Sequence, residues 1–295
     1  MLTNDFFDMN HSTRICFGTG RVADVGEETL RYGDRALVIC DTGVVEAGIV
    51  EKVCSSLTKW GIMHTIFDEV VENPRDTGCY EAAEEGMCFK ANVIIGVGGG
   101  SVMDTAKAVS VFMSNGGDCE TWAKAGKFDR SILPIICVPT TSGTGSEVTY
   151  EAVITIVKTR TKVSISDGAK LAPKIAIMDP ELTLSVPPLV TASTGMDALT
   201  HAIESYTCRF SNHVSEGFAL YAMEKIAGSI VTATTEGLNL KARTDMMIGS
   251  MMAGMAFANS CLGAVHAVSE TLGGFYDIPH GIANSIFLPF MTRYN

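Results

Sequence analysis

The chain has no Cys-x-x-Cys pair, although it carries nine cysteines. An odd, dispersed set of thiols excludes a disulfide framework and fits free thiols in a reducing compartment. Lys and Arg nowhere cluster, and a formal net charge of −11 leaves no basic surface for nucleic acid. No apolar run approaches the length of a membrane span, so hydrophobic residues at 46% and charged ones at 19% describe a soluble globular chain. The first ten residues, Met1 to Asn10, lack the basic and apolar regions of a signal peptide, and the expectation is a cytoplasmic protein. With 295 residues there is room for two domains and a large core.

Apolar periodicity divides the chain near residue 185, with an α/β pattern in 1-185 and an all-α pattern in 186-295. Residues 1 to 34 show only glycine-bearing turns around Gly18 and Gly20 and an acidic amphipathic segment. Ala36 to Cys40 reads as a buried strand that ends in Asp41, followed by a helix over about residues 44–60. A carboxylate at the carboxyl end of such a strand accepts hydrogen bonds from an adenosine ribose, and it equally serves as an ordinary helix cap. Glu72 to Arg75 is a turn, with Asn73 held extended by Pro74, and a helix over about 77–90 follows. Val93 to Val97 is a β-branched strand running into Gly98, Gly99, Gly100 and Ser101, with a helix opening at Val102. Glycines there let the backbone approach a phosphate, and the helix start supplies unpaired N–H groups. The run is neither a G-x-G-x-x-G fingerprint nor a Walker loop. A second strand, Ile135 to Pro139, feeds the hydroxyl-rich loop Thr140 to Val148. Glu151 to Lys162 reads as one or two further strands, and Ile175 to Asp179 as the last.

The helical half carries the chemistry. Within Thr191 to Arg209, Asp197 and His201 are four positions apart and share a helix face, on a stripe with Glu204 and Cys208. A hard oxygen and an imidazole on one rigid face make half of a divalent-metal site. For Asp197 the other reading is a capping box with Thr194, and for His201 a histidine satisfied in the core. Of six histidines, His11, His64 and His213 lack partners nearby in sequence. His266 lies in a helix thought to end at a Gly273-Gly274 turn, and His280 in a Pro-His-Gly turn. With Asp197 and His201 they compose a tetrahedral set for iron(II) or zinc(II).

Three segments, Thr194-Gly-Met-Asp-Ala-Leu-Thr-His-Ala-Ile-Glu204, Gly263-Ala-Val-His266 and Pro279-His-Gly-Ile-Ala-Asn284, resemble the signatures of the iron-containing (group III) alcohol dehydrogenases. Gly98-Gly-Gly-Ser-x-x-Asp104 and Thr140-Thr-Ser-Gly-Thr-Gly-Ser-Glu147 resemble that family's cofactor loops. The resemblance implies a Rossmann-like α/β nucleotide domain, an all-α C-terminal domain of dehydroquinate synthase-like architecture, and a cleft holding NAD and the metal. It implies metal ligands at Asp197, His201, His266 and His280, with Fe2+ as the ion and Zn2+ as the alternative. Pyrophosphate contacts fall on Gly98, Gly99, Gly100 and Ser101, and further cofactor contacts on Asp41, Asn73, Asp104, Thr140, Thr141, Ser146 and Lys162. Phe257 matches a position lining the substrate pocket.

Three departures stand out. Glu270 occupies the place of a second histidine, four residues after His266, where a carboxylate is a possible proton relay. Glu151, with Val153 beside it, falls where relatives often carry a neutral residue near the substrate. Relatives also continue beyond Leu288 to Asn295, so the helical domain is expected to be truncated at its C-terminus, with apolar faces that a partner copy covers. The expected activity is NAD-dependent interconversion of a small primary alcohol and its aldehyde, in a homodimer or higher homo-oligomer without nucleic-acid or membrane partners. The alternatives are a zinc polyol dehydrogenase, a dehydroquinate synthase-like enzyme, or a truncated non-catalytic nucleotide-binding relative. Because a carboxylate pairs with a ribose hydroxyl and repels a 2′-phosphate, Asp41 predicts a lower KM for NADH than for NADPH, to be read from paired steady-state assays.

Overall fold

The computed structural model describes residues 6–294. They form two compact units. One comprises Ser12–Thr140 and Tyr150–Leu182; the other holds Thr141–Thr149, the chain from Thr183 onward and the described residues before Ser12.

The first unit is built on a six-stranded parallel sheet. Its strands are β1 (Arg14–Phe17), β2 (Arg35–Ile39), β3 (Met63–Phe67), β4 (Val93–Gly98), β5 (Ile135–Pro139) and β8 (Ile175–Met178), in the order β1-β8-β5-β4-β2-β3. A parallel sheet is covered on both faces, so its central strands read as continuous apolar runs. Alternate residues feed opposite cores: Leu37, Ile39, Ile94 and Ile135 face one side, and Ala36, Val38, Ile95 and Ile136 the other. Helices α1 (Val25–Leu30), α2 (Thr42–Glu46) and α3 (Ile49–Lys59) supply one layer, and α4 (Asp76–Phe89), α5 (Gly100–Asn115) and α6 (Cys119–Ala125) the other. The excursion is an antiparallel hairpin of β6 (Glu151–Ile156) and β7 (Thr161–Ser166), longer than the sequence suggested. Fully buried Lys107 on α5 anchors it by donating from Nζ to the Glu151 carbonyl at 2.7 Å. Strand order reverses direction between β2 and β4, so Asp41 and Gly98 lie at the carboxyl ends that flank a topological switch point.

The second unit is helical. Its elements are α7 (Pro188–Thr207), α8 (His213–Thr235), α9 (Leu240–Phe257), α10 (Ala264–Tyr276) and α11 (His280–Tyr294). Asn212 opens α8 with a reciprocal capping box with Ser215. The α7–α8–α9 core is rich in alanine, with Ala198, Ala202, Ala222, Ala242 and Ala253 around Ile226 and Met246, which lets the helices approach closely. Gly273 and Gly274 do not form a turn: both lie inside α10, whose end comes at Asp277 in left-handed conformation (φ 57°). Packing of α10 on α11 sustains a helix through two residues of poor propensity. His280 lies not in a turn but at the first position of α11, a helix the sequence pattern left unread. No described helix is long and apolar enough to cross a membrane.

Asp245 on α9 accepts from Lys225 on α8 at 3.2 Å and from Lys241 one turn away. Burial raises the Asp245 carboxyl, but the two lysines outweigh it and hold it below the usual carboxylate range. A depressed folded value means that this contribution is present above the unfolded pKa and is lost as pH falls through the folded one. Asp245→Asn is expected to lower stability at neutral pH by about 0.5–1 kcal/mol. The gap between variant and parent in chemical denaturation should close below about pH 3.9, the unfolded value of an aspartate.

Candidate metal centre and nucleotide loops

Helix α7 begins at Pro188, well before Thr194, so Asp197 is interior to the helix and is no capping-box partner. The Thr194 hydroxyl instead donates to the Val190 carbonyl at 2.8 Å. Helical spacing then sets Asp197, His201 and Glu204 on one buried face, at 3%, 5% and 4% exposure.

Each of the three meets a different part of the fold. His201 Nδ1 lies 3.9 Å from Asp197 Oδ2. The ring is sandwiched between His266, with centroids 4.4 Å apart, and Phe257, with centroids 4.5 Å apart. Asp197 Oδ1 lies 3.7 Å from His266 Nε2 and 3.6 Å from His280 Nε2. Four donors about 2.1 Å from one cation stand roughly 3.4 Å from one another in a tetrahedron, so each imidazole's distance to the Asp197 carboxylate is within about half an ångström of that spacing. Asp197, His201 and His266 each offer a donor atom within 4.8 Å of the others. The His201 Nδ1 atom is buried without a hydrogen-bond partner among the described residues, the need that a cation satisfies.

The electrostatics agree with that need. Burial would raise the Asp197 carboxyl, but His201, His266 and His280 hold it well below the usual carboxylate range, so it is an anion. Burial lowers the His201 imidazole to about 4, which leaves it neutral and able to donate a lone pair. Burial also pulls His266 down, yet its contacts with Asp197 and Glu204 raise it to about 9, so it holds a proton that a cation would displace.

Glu204 and Asn284 touch the cluster, and sequence reasoning did not place either in the site. Glu204 Oε2 takes the hydrogen of His266 Nδ1 at 2.6 Å, and Oε1 accepts from the Val265 amide at 2.7 Å. Burial raises this carboxyl, but His266 and the Val265 and Gly263 amides outweigh it and keep it below its ordinary range. One carboxylate thus fixes the His266 ring and caps the start of α10. A Cβ at Gly263 would meet Glu204 Oε1 at 2.7 Å, so the glycine is what admits it. The signal was present in the sequence as the position of Glu204 on the Asp197 stripe. Asn284, one turn after His280, is fully buried and donates from Nδ2 to Asp197 Oδ1 at 2.7 Å.

Other predicted positions are distributed as follows. Phe257 stacks on His201 and walls the cluster. Glu270 is half-buried on α10 and makes no hydrogen bond or ion pair among the described residues. Thr141 and Ser146 belong with the helical unit, in the segment whose Gly143 approaches Thr194 and whose Gly145, at φ 63°, approaches Gly254. In the α/β unit, Gly98 is buried at the end of β4, where a Cβ would collide with Val102 Cγ2 at 2.5 Å. Gly99 is the N-cap of α5 and supplies no side-chain cap; the helix starts at Gly100, two residues earlier than expected, and takes in Ser101. A first turn without a cap leaves its N–H groups for an anion, which suits a pyrophosphate. The Thr140 amide donates to the Gly98 carbonyl at 3.0 Å, joining the two loops. Asp41 caps α2, accepting from the Val44 amide at 3.0 Å. Asn73 is buried, and its φ of 52° is left-handed, not the extended backbone expected before Pro74. Asp104 accepts from the Val153 amide at 3.0 Å, Glu151 is exposed at the start of β6, and Lys162 sits on β7 opposite Thr155.

Comparison with known proteins adds a lineage. The sequence pattern described as iron-containing alcohol dehydrogenase matches residues 12–180, and that of the C-terminal part of the Fe-containing alcohol dehydrogenase family matches residues 191–295. The 1,3-propanediol dehydrogenase of Citrobacter freundii is 41% identical over 282 residues, 95% of this chain and 73% of that protein. The NAD-dependent methanol dehydrogenase of Bacillus methanolicus is 36% identical over 279 residues, 94% of this chain and 73% of that protein. The crystal structure of a 1,3-propanediol oxidoreductase superposes with a TM-score of 0.93 at 38% identity, covering 98% of this chain and 76% of the other. A sulfoacetaldehyde reductase from Bifidobacterium kashiwanohense, solved in complex with NAD+, gives 0.91 at 32% identity, covering 99% and 77%.

Because Glu204 fixes the ring of one donor, Glu204→Gln is expected to weaken metal binding by about 10–100-fold. Competition with a chromophoric chelator measures it directly.

Proposed function

The chain belongs to the iron-containing alcohol dehydrogenase family, and from that premise we propose that Asp197, His201, His266 and His280 hold Fe2+ for the NAD-dependent interconversion of a small primary alcohol and its aldehyde. The observation that supports this most directly is the convergence of one buried anionic carboxylate with three imidazoles drawn from α7, α10 and α11. One oxygen and three nitrogen donors suit iron(II), with zinc(II) as the competing ion. When bound, the ion supplies Lewis acidity for the negative charge that builds on the substrate oxygen, and the nicotinamide takes or gives the hydride.

The chain's own residues do the rest. Asp197 sets the charge of the centre, and Glu204, by taking the His266 Nδ1 hydrogen, leaves the Nε2 lone pair for the ion. Phe257 covers the outer face of His201 and gives the substrate an apolar wall that keeps water away. Gly98 to Ser101 bind the pyrophosphate through the start of α5, assisted by Thr140, while Asp41, Asn73, Asp104 and Lys162 serve the rest of the cofactor. Glu151 and Val153 border the substrate. Glu270, one turn beyond His266, is the carboxylate available to pass the alcohol proton outward. We also read the chain as a cytoplasmic homo-oligomer. Nine free thiols support the compartment, and exposed Val231, Phe275 and Phe290 support burial against a second copy.

The test is metal analysis of anaerobically purified protein together with NADH oxidation across a panel of short aldehydes. Asp197→Ala and His266→Ala are expected to lose bound metal and to lower turnover on the order of 10³-fold or more, as several kcal/mol of charge stabilisation disappear. Both should still bind NADH in a fluorescence titration. Full metal content and turnover in either variant would sink the assignment.

A further inference from the structure

Arg243, in the first turn of α9, is a cation with only 3% of its surface exposed. Its guanidinium donates from Nε to the Gly237 carbonyl at 2.9 Å, from Nη1 to Thr191 Oγ1 at 2.6 Å and from Nη2 to the Val186 carbonyl at 3.0 Å. All three acceptors are neutral, and Arg243 forms no ion pair among the described residues. Asp245, two positions on, is committed to Lys225 and Lys241. Burial pulls the guanidinium below its ordinary value, and no acidic neighbour opposes that pull. An arginine does not shed its proton to escape such a place, so the charge stays. The backbone dipole at the start of α9 is positive as well, which adds to the excess. A buried cation in that position calls for negative charge beside it.

A guanidinium carries five N–H groups, and the three bonds above leave two for another acceptor. A small cavity of about 10 Å³ adjoins it, lined by Arg243 with Thr141, Ser142, Thr183, Thr191 and Thr194. No acidic side chain contributes to its wall, and every one of these residues belongs to the helical unit. Thr191 and Thr194 direct their hydroxyl hydrogens at the Pro187 and Val190 carbonyls. Ser142, at 9% exposure, has a hydroxyl with no hydrogen-bond partner among the described residues. Native interiors rarely leave a buried hydroxyl in that condition without something to receive it. A volume of this size holds one water-sized body and is too small for a tetrahedral oxyanion. Water would take up the hydrogens but would leave the charge.

We propose that this cavity binds a small monovalent inorganic anion of the chloride class, held by the Arg243 guanidinium and the Ser142 hydroxyl. Bound there, the anion neutralises the arginine and ties the Thr141–Thr149 segment to α7 and α9, which belong to the same unit. None of the groups assigned to the metal lines the cavity, so the anion site stands or falls independently of that assignment.

Crystals of the intact chain soaked in sodium bromide are expected to show an anomalous-scattering peak within hydrogen-bond reach of the Arg243 guanidinium. In solution, chloride replacing sulfate at constant ionic strength is expected to raise the melting temperature of the parent, relative to Arg243→Met, by a saturable shift of about 2–4 °C. Sulfate stabilises folded proteins in general, so the non-specific salt effect runs the other way. Ser142→Ala retains the arginine and should move the midpoint of the chloride response to an about 10-fold higher concentration. A parent crystal without the bromide peak, or parent and Arg243→Met responding alike to chloride, would overturn the proposal. A peak in the crystal with no chloride response in solution, which is binding at crystal concentration only, overturns it as well. If Arg243→Met does not fold, the parent crystal and Ser142→Ala decide: a missing peak, or a midpoint equal to the parent's, removes the site.

Discussion

An ionised carboxylate taken out of water is among the least tolerable groups in a protein interior unless opposite charge and hydrogen bonds surround it. Asp197, at 3% exposure, imposes that condition on the helical unit. Three imidazoles and one amide answer it, and they arrive from α10 and α11 as well as from α7 itself. A second buried carboxylate, Glu204, stands two turns further along α7 and grips His266 from behind. His266 therefore lies between two anions, one on each ring nitrogen, and the net charge of the cluster calls for a cation. The periodicity of one helix thus places Asp197, His201 and the carboxylate that orients His266.

The convergence depends on helices approaching more closely than ordinary side chains permit. A Cβ on Gly281 would lie 2.1 Å from the Ser193 carbonyl, so the first turn of α11 reaches α7 only without one. Gly143 meets Thr194 on α7 under a similar constraint, with 2.7 Å between the added Cβ and that of the threonine. The small residues beside each histidine, noticed as motif letters in the sequence, are thereby explained as contact distances.

What was legible in the sequence follows from how each feature is enforced. The central strands were plain because a two-sided sheet demands unbroken apolar runs, as in Val93 to Val97 and Ile135 to Val138. Strands β1 and β3 were not, being short sheet-edge strands whose Arg14, Met63 and Ile66 are exposed. The pairing of Asp197 with His201 was local and could be counted, whereas Glu204 meets His266 across 62 positions, a distance no periodicity spans. The Gly273-Gly274 reading failed because tertiary packing overrode propensity. Helix α11 escaped because Pro289 lies inside it and broke the pattern. Asp41 admitted two readings in the sequence, and the fold displays the cap.

The segment Thr141–Thr149 leaves the α/β unit after β5, folds among the helices, and returns at Tyr150. Neither unit is therefore a single uninterrupted stretch. A gene fragment encoding only the residues from Thr183 onward would omit Gly143, which approaches Thr194 on α7, and Gly145, which seats against Gly254. The helical unit is consequently not a cassette that a single cut in the gene can lift out: part of what it packs around is encoded between two strands of the α/β unit.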